Sequence, residues 1–284
     1  MEISAEKVKE LRERSGAGIM DCKKALHETG GDLQEAIDYL RKQGIVKASK
    51  KTGRSAEEGL VGLSVSPDGS EASLVEVNCE TDFVARTDQF QHFVKEVSNV
   101  VLKNGPADLN LLLSEKMNQE SVEEDLKALI ARLGENMVIR RFVKISAHLK
   151  DQERVGAYLH AGSKIGSLVR VRGDKVTEEV CRNISMHVAA MHPAYIHREM
   201  VPLSVIDKER EIINSSPELT GKPPAVLEKI VNGKLSRYYS DVCLIEQPYV
   251  KDTSGKKTVG QYLKEIDPKA EVLEMVRFQV GGPL

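Results

Sequence analysis

The sequence contains no tryptophan and only 4% of its residues are aromatic, so its hydrophobic cores must consist mainly of Val, Leu, Ile and Met. Its four cysteines are far apart and form no C-x-x-C motif, which excludes a zinc ribbon and a thioredoxin-type redox site. We expect small buried hydrophobic side chains at all four positions: Cys22, Cys79, Cys181 and Cys243. No apolar run approaches the ~18–20 residues of a membrane-spanning helix.

The chain carries almost no net charge and no recognisable targeting segment. Lys and Arg together number 41, and Asp and Glu 43, which gives a formal net charge of −2. A protein that coats nucleic acid would need a large basic surplus, so this class is disfavoured. Residues 1–6 show neither an apolar signal stretch nor an Arg-rich transit pattern, so we expect a cytoplasmic protein.

Signatures of catalytic sites are also missing. The sequence has no phosphate-binding G-x-x-x-x-G-K-[ST] loop and no G-x-G-x-x-G, H-E-x-x-H or G-x-S-x-G motif. Its seven histidines show no metal-ligand spacing, and we expect His187 and His192, near one predicted helix end, to pack or to cap that helix. This pattern favours a binding protein over an enzyme, with no cofactor and no metal of its own.

Residues 1–44 predict three short helices. Ser4 is a candidate N-cap for the first, and Asp32, followed by Glu35, has the spacing of a capping box for the third. Gly44 is placed to end the third helix in a left-handed cap. So few residues form only a thin core, so we expect a small module beside a larger one.

Residues 45–58 predict a linker, because apolar side chains are scarce and small polar ones common. Its basic residues are Lys47, Lys50, Lys51 and Arg54. Two interpretations stay open: a solvated tether, or a basic contact with an acidic partner or RNA.

From residue 59 the hydrophobic period changes to two, which predicts strands, and the pattern then repeats. Residues 73–77 and 167–171 share the sequence S-L-V-x-V, and each copy follows another predicted strand and precedes a predicted helix. This shared order indicates a duplicated α+β subdomain. Two helical patterns separated by Pro and Gly over 203–240 predict an antiparallel hairpin.

The fold class is therefore predicted to be α+β. We expect a three-helix domain with its basic linker over 1–55 and an N-terminal core subdomain over 56–140. A C-terminal core subdomain would occupy 141–284, with the helical hairpin of 203–240 as an insertion.

The segment Thr81-Asp82-Phe83-Val84 lies at a predicted strand-to-helix junction. In a structural interpretation, Thr81 or Asp82 caps the coming helix and Phe83 packs at its start. The second copy makes the same junction with residues 173–177, which include no aromatic. The fold thus does not require a Phe here, which favours an exposed Asp-Phe contact element.

Five segments resemble motifs of bacterial elongation factor Ts. They occur in the expected order and span essentially the whole chain: residues 11–26, 76–85, 134–141, 186–190 and 257–261. The first two, L-R-E-R-S-G-A-G-I-M-D-C-K-K-A-L and E-V-N-C-E-T-D-F-V-A, are highly specific. Two departures are mild, since Ser15 stands where Thr is usual and Glu80 where Gln is usual.

The resemblance implies a guanine-nucleotide exchange factor that binds elongation factor Tu in its GDP form and nucleotide-free. It also implies an N-terminal domain that is ubiquitin-associated-like. By resemblance, the segment of Thr81, Asp82, Phe83 and Val84 enters the partner near its Mg²⁺ site. Direct binding of nucleotide, metal, DNA or membrane is not expected.

The family resemblance also suggests a second contact with the partner at Ile19 and Met20; packing inside the small core is the alternative. His160 is either a partner contact or a plain surface histidine. The hairpin is open to dimerisation into a homodimer, to a second partner or to elongation factor Tu itself.

Two other function classes stay open. An adaptor would bind a helix or a ubiquitin-like surface through the three-helix domain without changing nucleotide release. An RNA-binding factor would use the basic linker, and its affinity would fall steeply with salt. An enzyme ranks third, because no catalytic group can be named.

Overall fold

The computed structural model describes residues 3–49, 51, 53–219 and 222–283, the side chains of 45–49 excepted. Helices and strands are mixed in the chain, in agreement with the α+β prediction. Lys50 and the side chain of Lys47, which belong to the predicted basic linker, lie outside the described residues. Within the described ranges, no helix has the length and apolar character needed to cross a bilayer.

Three helices open the chain, as predicted: α1 (Ala5–Ser15), α2 (Ile19–Glu28) and α3 (Leu33–Ser49). The Ser4 side chain accepts a hydrogen bond from the Lys7 amide at the start of α1, and Asp32 accepts one from the Glu35 amide at the start of α3. Their small apolar core contains Leu11, Cys22, Ala25, Leu26 and Ala36.

The prediction that Gly44 ends the third helix is wrong, and so is a linker that begins at residue 45. Helix α3 continues to Ser49. A Cβ atom at Gly44 would lie only 3.2 Å from the Cβ of Ala131, in the later helix Val122–Leu133. Glycine at this position therefore serves the close approach of two helices rather than a left-handed cap.

The first half of the core is a three-stranded antiparallel sheet with the strand order β1-β2-β5. Its strands are β1 (Glu58–Val65), β2 (Glu71–Cys79) and β5 (Met137–Ser146). Between β2 and β5 the chain forms α4 (Asp82–Ala85), α5 (Asp88–Asn104), α6 (Leu109–Ser114), the two-stranded ribbon β3 (Lys116–Met117) and β4 (Glu120–Ser121), and α7 (Val122–Leu133). The apolar face of α5 packs on β1 and β2.

The second half repeats this arrangement with the strand order β6-β7-β8. Its elements are β6 (Glu153–Leu159), β7 (Ile165–Arg172), α8 (Glu178–Met191) and β8 (Glu271–Gln279). Apolar residues of both sheets, among them Leu74, Leu168 and Phe278, form one cluster between them.

The two halves share details that a duplication predicts. Ser73 and Ser167, the first residues of the two S-L-V-x-V segments, each donate to a helix carbonyl, Ser98 O at 2.7 Å and Ser185 O at 2.6 Å. Both middle strands also change register directly after the variable residue of the motif. Gly62 and Gly156 occupy equivalent positions, opposite Val75 and Val169, and a Cβ atom at either glycine would collide with the helix packed on its strand.

The predicted helical hairpin consists of α9 (Leu203–Asn214) and α10 (Pro224–Val242), which pack against each other around their own apolar cluster. Residues 220 and 221 of the connection lie outside the described part of the chain. At the base of the hairpin, the amides of Ala194 and Tyr195 both donate to Val242 O. The last helix is α11 (Val259–Ile266).

A buried carboxylate joins the two halves. Glu76 in β2 is fully buried and accepts hydrogen bonds from Arg141 Nε at 2.7 Å and from the Gly281 amide at 3.0 Å. Arg140 and Arg141 in turn donate to the carbonyls of Gly282 and Pro283. These contacts hold the segment after β8 against the first sheet.

Candidate functional site

The junction between β2 and α5 is a short extra helix with its own cap. Thr81 is the N-cap of α4, and its hydroxyl accepts a hydrogen bond from the Val84 amide at 3.3 Å. Thr87 caps α5 in the same way by accepting from the Phe90 amide. Each cap satisfies a backbone donor that the first helical turn leaves free.

The four residues of the predicted contact segment have different environments. Phe83 exposes 78% of its surface, which excludes the structural interpretation in which it packs at the helix start, whereas Thr81 is the cap that the same interpretation named. Asp82 is half-exposed and pairs with Arg86 one turn later, Oδ2 to Nη2 at 2.7 Å. Val84 lies in the hydrophobic core, so it anchors the turn rather than presenting a side chain.

Two carboxylates whose role the sequence pattern does not reveal fix this junction. Glu135 accepts from the Thr81 amide at 3.0 Å and from the Thr81 hydroxyl at 2.6 Å. Glu80 accepts from the Asn136 amide at 2.6 Å and pairs with Arg54 Nη2 at 2.7 Å. The register of β2 and β5, which pairs Cys79 with the residue after Asn136, brings both carboxylates to the junction, and no local sequence pattern shows that register.

The predicted basic linker is engaged at this junction. Arg54 pairs with Glu80, and its carbonyl accepts from the Asn136 side chain at 2.7 Å. Lys51 donates to Gly134 O. Because these two cations already have partners within the chain, the structure does not favour them as an RNA contact.

A groove lies beside the junction. Its volume is about 550 Å³, and the residues that line it include Asp82, Arg86, Leu159 and Lys164. His160 follows Leu159, is exposed, and has Nδ1 3.1 Å from Tyr158 Oη. The structure thus places the loop that contains His160 near Asp82.

Ile19 and Met20 do not line this groove. They begin α2 and expose 54% and 76% of their surfaces, so packing inside the small core is excluded for both. The preceding turn is held on α7, where Arg132 Nη2 donates to Ser15 O at 3.1 Å. The two side chains form a second exposed apolar patch on a part of the module that contacts the core.

The histidines and cysteines singled out by the sequence have structural environments. His187 is buried; its Nδ1 accepts from the Val250 amide at 3.1 Å, its Nε2 lies 3.0 Å from Gln247 Oε1, and burial lowers its pKa. His192 is the left-handed C-cap of α8. All four cysteines are buried, as predicted.

Within the described residues, no group of three or more His, Cys, Asp or Glu side chains is arranged to hold a metal ion.

Comparison with known proteins identifies the family. The family model described as elongation factor TS matches residues 80–282, from the junction to the end of the second sheet. The chain belongs to the elongation factor Ts family. Elongation factor Ts of Trichlorobacter lovleyi is 46% identical over 300 aligned positions, which cover 100% of this chain and 94% of that protein.

Further relatives support the same assignment over nearly the full length. Elongation factor Ts of Thioalkalivibrio sulfidiphilus is 45% identical over 99% of this chain and 93% of its own. That of Prosthecochloris aestuarii is 40% identical over 99% of both chains. Membership in the elongation factor Ts family assigns the chain to translation elongation.

Proposed function

We propose that this elongation factor Ts family member is the guanine-nucleotide exchange factor of elongation factor Tu. It binds the GDP form of the partner, disturbs the Mg²⁺ and phosphate site, and stabilises the nucleotide-free form until GTP binds. No bond in the nucleotide is made or broken. The observation that carries the proposal is Phe83, an almost fully exposed aromatic next to Asp82 on a turn fixed by hydrogen bonds.

Phe83 supplies the apolar part of the contact. A side chain that exposes 78% of its surface contributes little to the fold. Burying a Phe against a partner stabilises a complex by roughly 1.5–3 kcal/mol. That free energy is available to displace a helix or a loop of the partner near its nucleotide site.

Asp82 supplies the polar part. Its partner Arg86 is 76% exposed at the side chain, and exposed pairs one helical turn apart contribute only about 0.3–0.5 kcal/mol. Asp82 can therefore exchange this partner at little cost. Mg²⁺ demands near-ideal octahedral oxygen geometry, so a competing carboxylate or a shifted water ligand weakens its binding.

Ile19, Met20 and His160 extend the proposed interface. Ile19 and Met20 form an exposed apolar patch on the N-terminal module, and His160 lies on the loop beside the groove near Asp82. Three points remain predictions: the division of the chain into 1–55, 56–140 and 141–284, the role of the hairpin, and the formation of a homodimer. We expect the protein to act in the cytoplasm, where elongation takes place.

The coupling between nucleotide and exchange factor is reciprocal. If binding of this protein weakens the affinity of elongation factor Tu for GDP, then GDP weakens the affinity for this protein by the same factor. The transient ternary complex can therefore dissociate in two ways, by releasing GDP or by releasing the exchange factor.

The test is release of a fluorescent GDP analogue from the cognate elongation factor Tu, with and without this protein. We expect acceleration that saturates with protein concentration, and no acceleration at saturating protein would refute the proposal. An adaptor would bind the partner without changing the release rate. An RNA-binding factor would leave release unchanged and would bind RNA with an affinity that falls steeply with salt.

A further inference from the structure

We infer that Glu135 is a positioning residue for Phe83: its carboxylate holds Thr81 so that the short helix α4 forms and presents Phe83 outward. This inference rests on the proposed exchange function. Glu135 comes from a distant part of the chain, and it would hold the contact segment in the conformation that exposes Phe83.

Glu135 binds Thr81 through two hydrogen bonds. One carboxylate oxygen of Glu135 accepts from the Thr81 amide at 3.0 Å, and the other accepts from the Thr81 hydroxyl at 2.6 Å. Because the hydroxyl donates its only proton to Glu135, its lone pairs are left to accept from the Val84 amide at 3.3 Å. Glu135 therefore sets the orientation in which Thr81 caps α4.

Helix α4 depends on this cap. The helix has only four residues, too few for stability without tertiary contacts. Val84 and Ala85 are buried, but Phe83 has almost no packing of its own. The direction of Phe83 is consequently set by the backbone of α4 and hence by the Thr81 cap.

The junction at the corresponding place in the second half of the core keeps a carboxylate but lacks the hydroxyl contact. In the second half Asp267 Oδ2 accepts from the Lys175 amide at 3.1 Å, at the corresponding place beyond the middle strand. A carboxylate bound to this amide is thus part of both halves. Lys175 has no hydroxyl, and the next helix begins at Glu178 without a short helix before it. The hydroxyl bond and the extra helical turn therefore belong to the half that carries Phe83.

The experiment compares Glu135→Ala, Glu135→Gln and Thr81→Val in the GDP-release assay at subsaturating protein. We expect Glu135→Ala and Thr81→Val to lower the acceleration roughly 10-fold, which corresponds to about 1.4 kcal/mol, the size of a lost cap. Glu135→Gln keeps one acceptor oxygen, so its acceleration should fall between wild type and Glu135→Ala.

A double-mutant cycle tests whether Glu135 acts through Phe83. In the Phe83→Ala background, Glu135→Ala should change the acceleration by clearly less than 10-fold, since no aromatic remains to be positioned and only the Asp82 contact on the same turn can still be lost. An undiminished 10-fold effect in that background would overturn the inference, as would wild-type acceleration by both folded Glu135→Ala and folded Thr81→Val.

Asp267→Ala is the matched control, because it removes the corresponding carboxylate in the half without Phe83. It should lower the melting temperature while the acceleration stays within about 2-fold of wild type; a 10-fold loss would overturn the inference by showing a general structural effect. If the wild-type protein fails to accelerate release, the proposed function itself fails. If wild type and Phe83→Ala behave as expected but Glu135→Ala equals wild type, only the positioning role fails.

Discussion

Replacing Phe83 with alanine separates partner binding from folding. Phe83 exposes 78% of its surface in the free protein, so about a fifth of it is buried. Since full burial of a Phe contributes roughly 1.5–3 kcal/mol, the substitution should lower the free energy of unfolding by only ~0.5 kcal/mol. Truncating a fully buried Phe would instead cost about 3–5 kcal/mol.

The surface that remains exposed is what a partner can bury. Four-fifths of a Phe corresponds to roughly 1–2.5 kcal/mol of binding free energy. At about 1.4 kcal/mol per factor of ten, Phe83→Ala should reduce the exchange efficiency by roughly 5- to 70-fold. The effect should appear in GDP release from elongation factor Tu at subsaturating protein, while the thermal melt stays within about 2 °C of wild type.

Asp82→Ala provides the companion measurement. It should also slow GDP release, and the defect should shrink when Mg²⁺ is chelated, because the metal that Asp82 is proposed to disturb is then already gone. The matched control for Phe83→Ala is Phe90→Ala, which truncates a fully buried Phe in α5 and should lower the melting temperature strongly. A large drop in the melting temperature of Phe83→Ala with normal exchange at low temperature would refute the reasoning.

Other perturbations test the architecture. Glu76→Ala removes a fully buried carboxylate and should destabilise the fold by roughly 3 kcal/mol in denaturant titrations; a change below ~1 kcal/mol would show that this contact does not hold the two halves together. Burial by itself raises the pKa of Glu153, but hydrogen bonds from the His148 amide and from Arg172 and Arg170 outweigh it and lower the pKa to about 2. A carboxyl whose pKa is lower in the folded chain than in the unfolded chain stabilises the fold at pH values above its unfolded pKa. As the pH falls from ~4.5 to ~2, wild type should therefore lose roughly 3 kcal/mol more of its free energy of unfolding than Glu153→Gln. Parallel acid-unfolding curves for the two proteins would contradict this. Deleting residues 1–49 removes the three-helix module with Ile19 and Met20 but keeps Arg54 on Glu80, so the core should unfold cooperatively and bind elongation factor Tu more weakly; loss of cooperative unfolding would refute a modular organisation.

The sequence determined which elements form, because caps and periodicity act over a few residues. The cap residues Ser4 and Asp32 predict the starts of α1 and α3 correctly. The period-two pattern predicts strands at both S-L-V-x-V segments, which lie in β2 and β7. The motifs of 11–26 and 76–85 are specific enough to indicate the family without any coordinates.

Only the tertiary structure decided how distant parts of the chain meet. Gly44 has the local character of a helix stop, yet α3 continues because packing against Ala131 outweighs the intrinsic preference of one glycine. The exposure of Phe83 depends equally on long-range contacts. Glu135 lies 54 positions from Thr81 and is brought to it by the pairing of β2 with β5. A local pattern shows which residues can cap a turn, but which carboxylate reaches it depends on strand register, a property of the folded chain.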